Sequence, residues 1–450
     1  MPYRGLGLGL CVLLSACGFE HGHLGGTSDS PDAAMPDAIT SCTPNEKLCA
    51  GRKIEVCNPD GTGVDTSQTV VCPLSCVTES SGPACTQARN LPVDMQTACS
   101  KATGAALVLT AADGTNLAGE LDADPPTENL VCWPGTNCAF QPIAPTGKQD
   151  QPGDRELLWY CLSELTMEMG TQLYLNDDSP YSPVFFVDGD VVIDGLIDND
   201  GDYAGQAGAG AYRGGNVALG GTMGLGGCGG GNGATTGVGT SMVGGGGGGG
   251  GARSAGGAGG SGRDTATAAG GGAGAATCDP PMLLEPLVGG SGGGGGGNGA
   301  CATPCAQAGG GGGGALQIVA TGKIEIRTNG FIKSNGGGGG ANATGSTNGG
   351  GGGGGAGGVI LLEAPTVIID GLLNVDGGYG GLSGAGNGGT PGTNTTAPTA
   401  GASYTTPPQG GAGGGGAVGR IRLESESTTA CPPVTAAVDP CTSGALERVP

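Results

Sequence analysis

The sequence predicts a mainly β fold in which a short parallel β-helix or solenoid carries long glycine-rich insertions. Three observations predict it: a strand–turn unit recurs three times, 105 of the 450 residues are glycine, and 18 are cysteine. Aromatic residues make up only 3% of the chain, which excludes one large aromatic core. Collagen is excluded because no strict three-residue glycine period with abundant proline is present.

The recurring unit is clearest in residues 358–377, which read GVILLEAPTVIIDGLLNVDG. Each unit has aliphatic strands and two Asp-Gly or Asn-Gly pairs six residues apart, and such pairs favour turns. The units span 184–201, 315–336 and 358–377, and a truncated fourth covers 418–423. Stacked self-similar units are typical of a solenoid. We therefore predict a glycine-rich β-solenoid domain over 181–427.

Insertions of very different length separate the units, at 202–314, 337–357 and 378–416. Insertions that leave from the same corner of each unit should emerge on one face. A lone glycine run does not repay the loss of backbone freedom on ordering. Several runs side by side, each with three residues per turn, can exchange N–H···O and Cα–H···O bonds. We expect ordered runs only in such a packed arrangement.

The first 41 residues predict export and a tether. Residues 1–17 contain Arg4, a short apolar stretch and Leu14-Ser15-Ala16-Cys17, which resembles a bacterial lipobox. That resemblance implies a lipoprotein signal peptide with the lipid on Cys17, and an ordinary signal peptide is the alternative. Residues 18–41 are rich in Gly, Ser, Pro and Asp and predict a flexible tether. Both histidines lie there, which excludes histidine-based triads from the rest of the chain.

The cysteines predict disulfides in an oxidising compartment, with zinc as the weaker alternative. Six fall in a module over 42–85, where 15 pairings stay open. Four fall in a cap over 86–180, four in the longest insertion, and two in a C-terminal tail over 428–450. The candidates are Cys42, Cys49, Cys57, Cys72, Cys76, Cys85, Cys99, Cys132, Cys138, Cys161, Cys228, Cys278, Cys301, Cys305, Cys431 and Cys441.

The cap over 86–180 predicts a small α+β unit. Asp154 precedes apolar residues at helical spacing, Leu158, Cys161, Leu162, Leu165 and Met169, which end at Gly170. This pattern predicts a capped amphipathic helix. Strands are predicted at 105–110 and 172–175. The cap should close the open end of the solenoid.

Carboxylates at Asp198, Asp200 and Asp202 flank a glycine turn and suggest a calcium site, because a hard cation prefers oxygen ligands. The spacing lacks the pattern of an EF-hand. Turn chemistry is the competing interpretation, since Asp194 and Asp200 align with Asn329 and Asn335 in the next unit. Apart from this calcium we expect no cofactor.

The formal charge of −22 argues against nucleic acid as a partner, and no glycine run has the context of a nucleotide site. The Cys17 motif, the six-cysteine module and the glycine-rich repeats together resemble myxobacterial glycine-rich surface lipoproteins. The glycine insertions are also similar in composition to phage tail-fibre adhesins built on polyglycine helices. These resemblances imply an adhesive or structural protein of the outer membrane that binds surface glycans, other cell-surface proteins or itself. We expect no enzymatic activity, because the aspartates of the repeat units map to turns. A β-helix polysaccharide-cleaving enzyme and a largely disordered matrix protein are the alternatives.

Overall fold

The computed structural model of the chain describes residues 42–99, 104–109, 118–122, 129–132, 143–151, 155–175, 179–203, 205–216, 221–236, 242–264, 266–276, 284–300, 305–341, 348–383, 387–393, 395–405, 409–426, 431 and 441–449. The fold is mainly β, as predicted, and a curled half-barrel sheet of parallel strands forms its centre. Within these ranges the α-helix is α1, Val93–Cys99. The predicted signal peptide, Cys17 and the tether lie outside them.

Strands occur throughout the described part of the chain. Those before the first insertion are β1 Lys47–Ala50, β2 Lys53–Val56, β3 Val70–Val71, β4 Cys76–Glu79, β5 Gly82–Gln87, β6 Ala105–Leu109, β7 Ala118–Asp122, β8 Asn129–Cys132, β9 Gly147–Gln151, β10 Arg155–Met167, β11 Gln172–Leu175, β12 Tyr181–Val187, β13 Val191–Ile193 and β14 Leu196–Asp198. The later strands are β15 Thr235–Thr236, β16 Val243–Gly244, β17 Gly262–Arg263, β18 Thr267–Ala268, β19 Ala315–Ala320, β20 Lys323–Ile326, β21 Phe331–Lys333, β22 Val359–Glu363, β23 Thr366–Ile369, β24 Leu372–Asn374, β25 Arg420–Glu424, β26 Cys441–Gly444 and β27 Glu447–Arg448.

The parallel strands form three rows. The first row is β10, β12, β19, β22, β25 and β26. The second is β6, β10, β13, β20 and β23, with β10 long enough to belong to both rows. The third is β7, β11, β14, β21 and β24. Each of the three complete repeat units thus contributes one strand to each row, in the predicted order, and the truncated fourth contributes β25 to the first row.

The core lies on the concave side of the rows and is built from matching aliphatic positions. In the first row, successive register partners supply buried side chains to the same layer of the core. The other two rows add layers of their own, in which Ile193 faces Ile326 and Ile197 faces Ile332. Such stacking removes apolar surface from water, and each Å² buried stabilises the fold by about 25 cal/mol. The members of the first layer are Tyr160, Phe185, Ile318, Leu362 and Leu423.

The helix predicted after Asp154 is wrong, because these residues form the long strand β10. Leu158 and Tyr160 face the core, while Leu157 and Trp159 face a second apolar cluster on the outer side. A strand buried on both faces reads as a continuous apolar run without the alternation of a half-exposed strand. β10 also pairs with β12 in parallel, so the parallel sheet extends into the segment predicted as the cap. The strands predicted near 105 and 172 are confirmed as β6 and β11.

Residues 74–99, which begin in the six-cysteine module and end with helix α1, cover the outer side of the first row. Leu74 and Leu91 pack there with Trp159 and Phe186 in the second apolar cluster. Three disulfides lie within this module, and another joins helix α1 to β10. The pairs are Cys42–Cys57, Cys49–Cys76, Cys72–Cys85 and Cys99–Cys161, with Cys431–Cys441 in the tail.

Three further cysteine candidates are only partly placed. Cys228 and Cys305 are disulfide-bonded, and Cys132 ends strand β8. Cys138, Cys278 and Cys301 lie outside the described residues. None of the helices that the structure describes is long and apolar enough to cross a membrane.

Candidate functional site

The insertions leave the parallel sheet at neighbouring points and rejoin it at neighbouring points. Asp198, Lys333 and Asn374 end the three strands β14, β21 and β24, and they are register partners. The chain returns at β19, β22 and β25, where Ala315 is the partner of Val359. The insertions therefore lie on one side of the sheet, as the sequence predicts.

On that side the glycine-rich runs pack together through their backbones. We call this array the glycine lattice. It comprises residues 205–216, 224–234, 244–262, 269–275, 289–299, 307–314, 335–341, 348–358, 376–383, 387–392, 398–402 and 410–419.

Residues 244–251 form the central run of the lattice, and every third N–H of this run donates to the same neighbour. One set donates to run 348–354, the next to run 228–234 and the third to run 257–260. The bonds are Gly244 to Asn348 (2.8 Å), Gly247 to Gly351 (2.9 Å), Gly250 to Gly354 (2.8 Å), Gly245 to Ala234 (2.8 Å), Gly248 to Gly231 (2.8 Å), Gly251 to Cys228 (2.8 Å), Gly246 to Gly260 (2.9 Å) and Gly249 to Gly257 (2.8 Å).

The carbonyl groups of the central run accept from three further runs, 294–297, 411–417 and 271–274. The central run therefore has six hydrogen-bonded neighbours. Its three-residue period is that of a polyproline II-type helix, which has no internal hydrogen bonds and offers all its backbone groups to neighbours. The packed arrangement that the sequence requires for order is present.

At the central positions of this lattice only glycine fits. A Cβ built on Gly247 would lie 2.0 Å from the carbonyl oxygen of Gly294, and one on Gly249 would lie 1.9 Å from that of Gly415. The interior therefore contains backbone and small side chains, such as the methyl groups of Ala252 and Ala356. Side chains able to recognise a ligand must lie on the exposed faces.

The predicted calcium ligands are brought together only in part. Asp198 Oδ2 lies 3.1 Å from Lys333 Nζ, and Asp200 Oδ2 lies 3.4 Å from the same atom. Asp202 Oδ1 instead accepts from the backbone N–H of Tyr203. Burial raises the pKa of Asp200, and the charge of Asp198 adds to that rise. The lysine thus supplies the positive charge that these two carboxylates require.

Among the residues that the structure describes, no group of three or more His, Cys, Asp or Glu side chains is arranged to hold a metal ion. The calcium site stays a prediction from sequence, and the contacts of Asp198 and Asp200 have an explanation without it.

The Asp-Gly and Asn-Gly pairs join successive units through their side chains. Asp194 Oδ1 accepts from Asn329 Nδ2 (3.1 Å), and Asp200 Oδ1 accepts from the Asn335 backbone N–H (2.7 Å). Asn335 Oδ1 then accepts from the backbone N–H of Asp376 (2.8 Å). These contacts fit the interpretation of these residues as turn formers, because each one holds the next turn in place.

A buried polar network that the sequence did not predict lies between residues 74–99 and the first row of strands. Arg89 Nε donates to Glu424 (2.6 Å), and the Arg89 backbone N–H donates to Glu363 (2.9 Å). Gln317 Nε2 donates to the other oxygen of Glu363 at 2.5 Å. Burial raises the pKa of Glu363 well above its usual value, and the neighbouring Glu424 raises it further.

One signal in the sequence was available for this network. The strands VILLE and RIRLE both end in glutamate, and their register makes Glu363 and Glu424 direct partners. Like charges at directly opposed positions destabilise a sheet unless another group compensates them. The repeated glutamate therefore indicates basic partners, and both Arg89 and Arg422 donate to Glu424.

A cleft of about 520 Å³ adjoins this network. Its wall includes Asn90, Leu91, Asp150, Glu285 and Glu447, and no lysine, arginine or histidine of the described ranges lines it. The position of Glu285 is explained by its ion pair with Arg89 Nη1 (3.0 Å). The cleft lies on the outer side of the first row.

The lattice is therefore the distinctive feature of the chain, since it carries the insertions, unites them on one side and exposes their edges. Comparison with protein-family models, with curated proteins and with solved structures finds no match to this chain. The function of the chain must consequently be inferred from its own geometry.

Proposed function

We propose that this chain is a lipid-anchored cell-surface protein with a structural and adhesive role. In this proposal a short β-solenoid presents the glycine lattice as a binding surface. The observation that carries the proposal is the central run, whose eight N–H groups are all bonded to neighbouring runs. Such a lattice is stiff, and a stiff array presents exposed side chains in fixed positions at little entropic cost on binding.

The strand pattern supports the solenoid. One strand from each of the three complete repeat units enters each row, and the same register continues from β12 through β19 and β22 to β25. Each repeat alone has too little core to be stable, so stacking is what buries its apolar side chains. The truncated fourth unit, β25, pairs with β26, and the tail disulfide Cys431–Cys441 lies beside that pairing.

The disulfides support an extracytoplasmic location. Disulfide-rich modules persist in oxidising compartments, and the module over 42–85 holds three. Export and anchoring through Cys17 are the simplest account of how the chain reaches such a compartment. On this proposal the outer membrane is the anchoring site, and residues 18–41 tether the folded part to it.

The anchor is tested with Cys17→Ser expressed in a Gram-negative host. We expect wild type to fractionate with outer membranes and the variant to be released in soluble form. Added protease should remove wild type from intact cells if it is surface-exposed. Retention of Cys17→Ser in the membrane would contradict the lipid anchor.

Adhesion is tested with beads that carry the purified chain. The beads are mixed with bacteria that live in the same community as the organism that produces the protein. We expect wild-type beads to collect cells, and beads with a lattice-disrupting variant such as Gly248→Ala to collect several-fold fewer. Equal capture by the two bead types would contradict a role for the lattice in adhesion.

A further inference from the structure

Two exposed tyrosines follow strands of the third row, Tyr203 just before the glycine lattice begins and Tyr379 within it. The chain keeps the register of the third row beyond β21 and β24 as far as Gly338 and Tyr379, and beyond β14 as far as Gly201, after which the N–H of Asp202 donates to Gln206 O. The N–H of Asn199 donates to Lys333 O (2.9 Å), and the N–H of Gly339 donates to Tyr379 O (2.7 Å). Tyr203, Gly338 and Tyr379 therefore stand five residues beyond the ends of three neighbouring strands.

These two tyrosines are the most exposed large hydrophobic residues that the structure describes, at 68% for Tyr203 and 66% for Tyr379. Gly338, between them, leaves a gap: a Cβ built there meets only Tyr379 O, at 3.8 Å. Neighbouring strands are roughly 4.8 Å apart, so Gly201 and Gly377, each two residues before a tyrosine, lie on backbones roughly 10 Å apart. The result is two aromatic side chains on either side of a bare stretch of backbone.

Other apolar side chains extend this surface. Phe331 and Leu372 are register partners in β21 and β24, and both are exposed. Leu382 follows Tyr379 by three residues, one turn of a polyproline II-type helix, and is exposed as well. We call Tyr203, Gly338, Tyr379, Phe331, Leu372 and Leu382 the tyrosine strip.

The charges of the described residues on this edge of the molecule argue against an anionic ligand. Lys333, the basic residue between the two apolar parts of the strip, is paired with Asp198 and Asp200. The amide of Asn335 lies in the same row as Asp200. Together with a net charge of −22, this leaves hydrogen-bonding groups but no excess positive charge.

We propose that the tyrosine strip binds an extended, uncharged polysaccharide. The C–H faces of sugar rings pack on Tyr203 and Tyr379, the chain crosses the gap over Gly338, and hydroxyl groups hydrogen-bond at the row of Asp200 and Asn335. Tyrosine suits this task because it has an apolar face and a polar tip. A protein partner fits less well, because its energetic centre is a contiguous desolvated patch. Here the aromatic side chains stand apart.

This inference rests on the proposed adhesive function and names its ligand. The experiment uses the purified full chain on an array of uncharged glucans and chitin-type polymers, with polygalacturonate as the acidic counterpart. We expect wild type to bind uncharged polymers and not polygalacturonate. Tyr203→Ala/Tyr379→Ala should bind at least tenfold more weakly with an unchanged melting temperature.

Three further variants make the test specific. Tyr379→Phe keeps the ring and should bind within about threefold of wild type, while Met223→Ala changes an exposed side chain outside the strip and should bind normally. Gly338→Gln fills the gap and should weaken binding about as much as loss of the rings. Its Cβ has room, so the fold should survive.

The outcomes separate this inference from the proposed function. If wild type binds no uncharged polymer, or if the double tyrosine variant binds as well as wild type, the inference is overturned. In either case cell capture by the wild-type beads shows that the adhesive function stands. Absence of both polymer binding and cell capture overturns the two together.

Discussion

Gly248 and Gly272 face each other across the lattice with opposite tolerance for a side chain. A Cβ built on Gly248 would lie 1.9 Å from the carbonyl oxygen of Gly272, whereas one built on Gly272 meets no atom within 4 Å. The carbonyl oxygen of Gly272 points towards the interior, where it accepts from the N–H of Gly231 at 2.8 Å. Gly272 itself is exposed to solvent.

This asymmetry predicts opposite effects of alanine at the two positions. Gly248→Ala should lower the free energy of unfolding by about 3 kcal/mol or more, because the methyl group clashes with backbone that cannot move aside. Gly272→Ala should be neutral or stabilising by about 0.4–1 kcal/mol, since alanine restricts the unfolded chain. Chemical denaturation of both variants gives the comparison.

A second pair inside one run repeats the comparison. A Cβ on Gly337 would lie 2.1 Å from Asp202 O, whereas Gly338 is open. Gly337→Ala should therefore destabilise and Gly338→Ala should not. Similar stability for the two variants of either pair would show that the runs are not packed as described.

The central run also predicts slow amide exchange. Its eight N–H groups are hydrogen-bonded and its residues are buried, so exchange requires opening of the lattice. Hydrogen–deuterium exchange with mass spectrometry should show peptides within 244–251 protected at least a hundredfold over the denatured chain. Exchange as fast as in the denatured chain would favour a largely disordered matrix protein.

The repeat units were predictable because their signals are local. Aliphatic strands and Asp-Gly or Asn-Gly turns recur within about twenty residues, and turn chemistry at Asp194 and Asn329 depends on immediate neighbours. The same repeat also predicted that the insertions emerge on one side of the sheet. None of this required knowledge of distant contacts.

The strand β10 and the lattice pairings depend on distant contacts. Trp159 is buried because Leu74 and Leu91, far away in sequence, cover the outer face. Gly250 bonds to Gly354, yet one glycine run looks like another and carries no information on register. The disulfide Cys99–Cys161 is likewise fixed by packing, because spacing alone leaves many pairings open.

Lys333 should contribute to stability through Asp198 and Asp200. In Lys333→Met the two carboxylates lose their cation while partly buried, so unfolding should become easier by about 1–2 kcal/mol. Lys323 pairs with Glu325 at a more exposed position, and Lys323→Met should change stability by less than about 0.5 kcal/mol. Equal effects of the two variants would mean that the Asp198–Lys333–Asp200 contact does not form.

The same contact predicts the response to calcium. Because Lys333 Nζ already lies between the two carboxylates, we expect the melting temperature of wild type to be the same in millimolar calcium and in EDTA. The measurement is differential scanning calorimetry, with magnesium as a control for ionic strength. A rise specific to calcium that Asp200→Asn abolishes would support the calcium site predicted from sequence.

The pair Glu363 and Glu424 predicts a pH dependence of stability. Burial and the neighbouring Glu424 raise the pKa of Glu363 in the folded chain above its usual 4.5. Below about pH 4.5 the group is protonated in both states, and its stabilising contribution is fully present. As the pH rises through the folded pKa this contribution is lost, because the unfolded chain releases the proton more readily.

Glu363→Gln removes the titrating group and keeps an oxygen that can accept from the Arg89 N–H. Unfolding free energies from urea denaturation should therefore fall more steeply with pH in wild type than in Glu363→Gln, from about pH 4.5 upward. Glu164→Gln replaces an exposed glutamate on β10, and its profile should run parallel to that of wild type. If the Glu363→Gln profile is parallel as well, Glu363 titrates alike in the folded and unfolded chains, and the buried network does not perturb it.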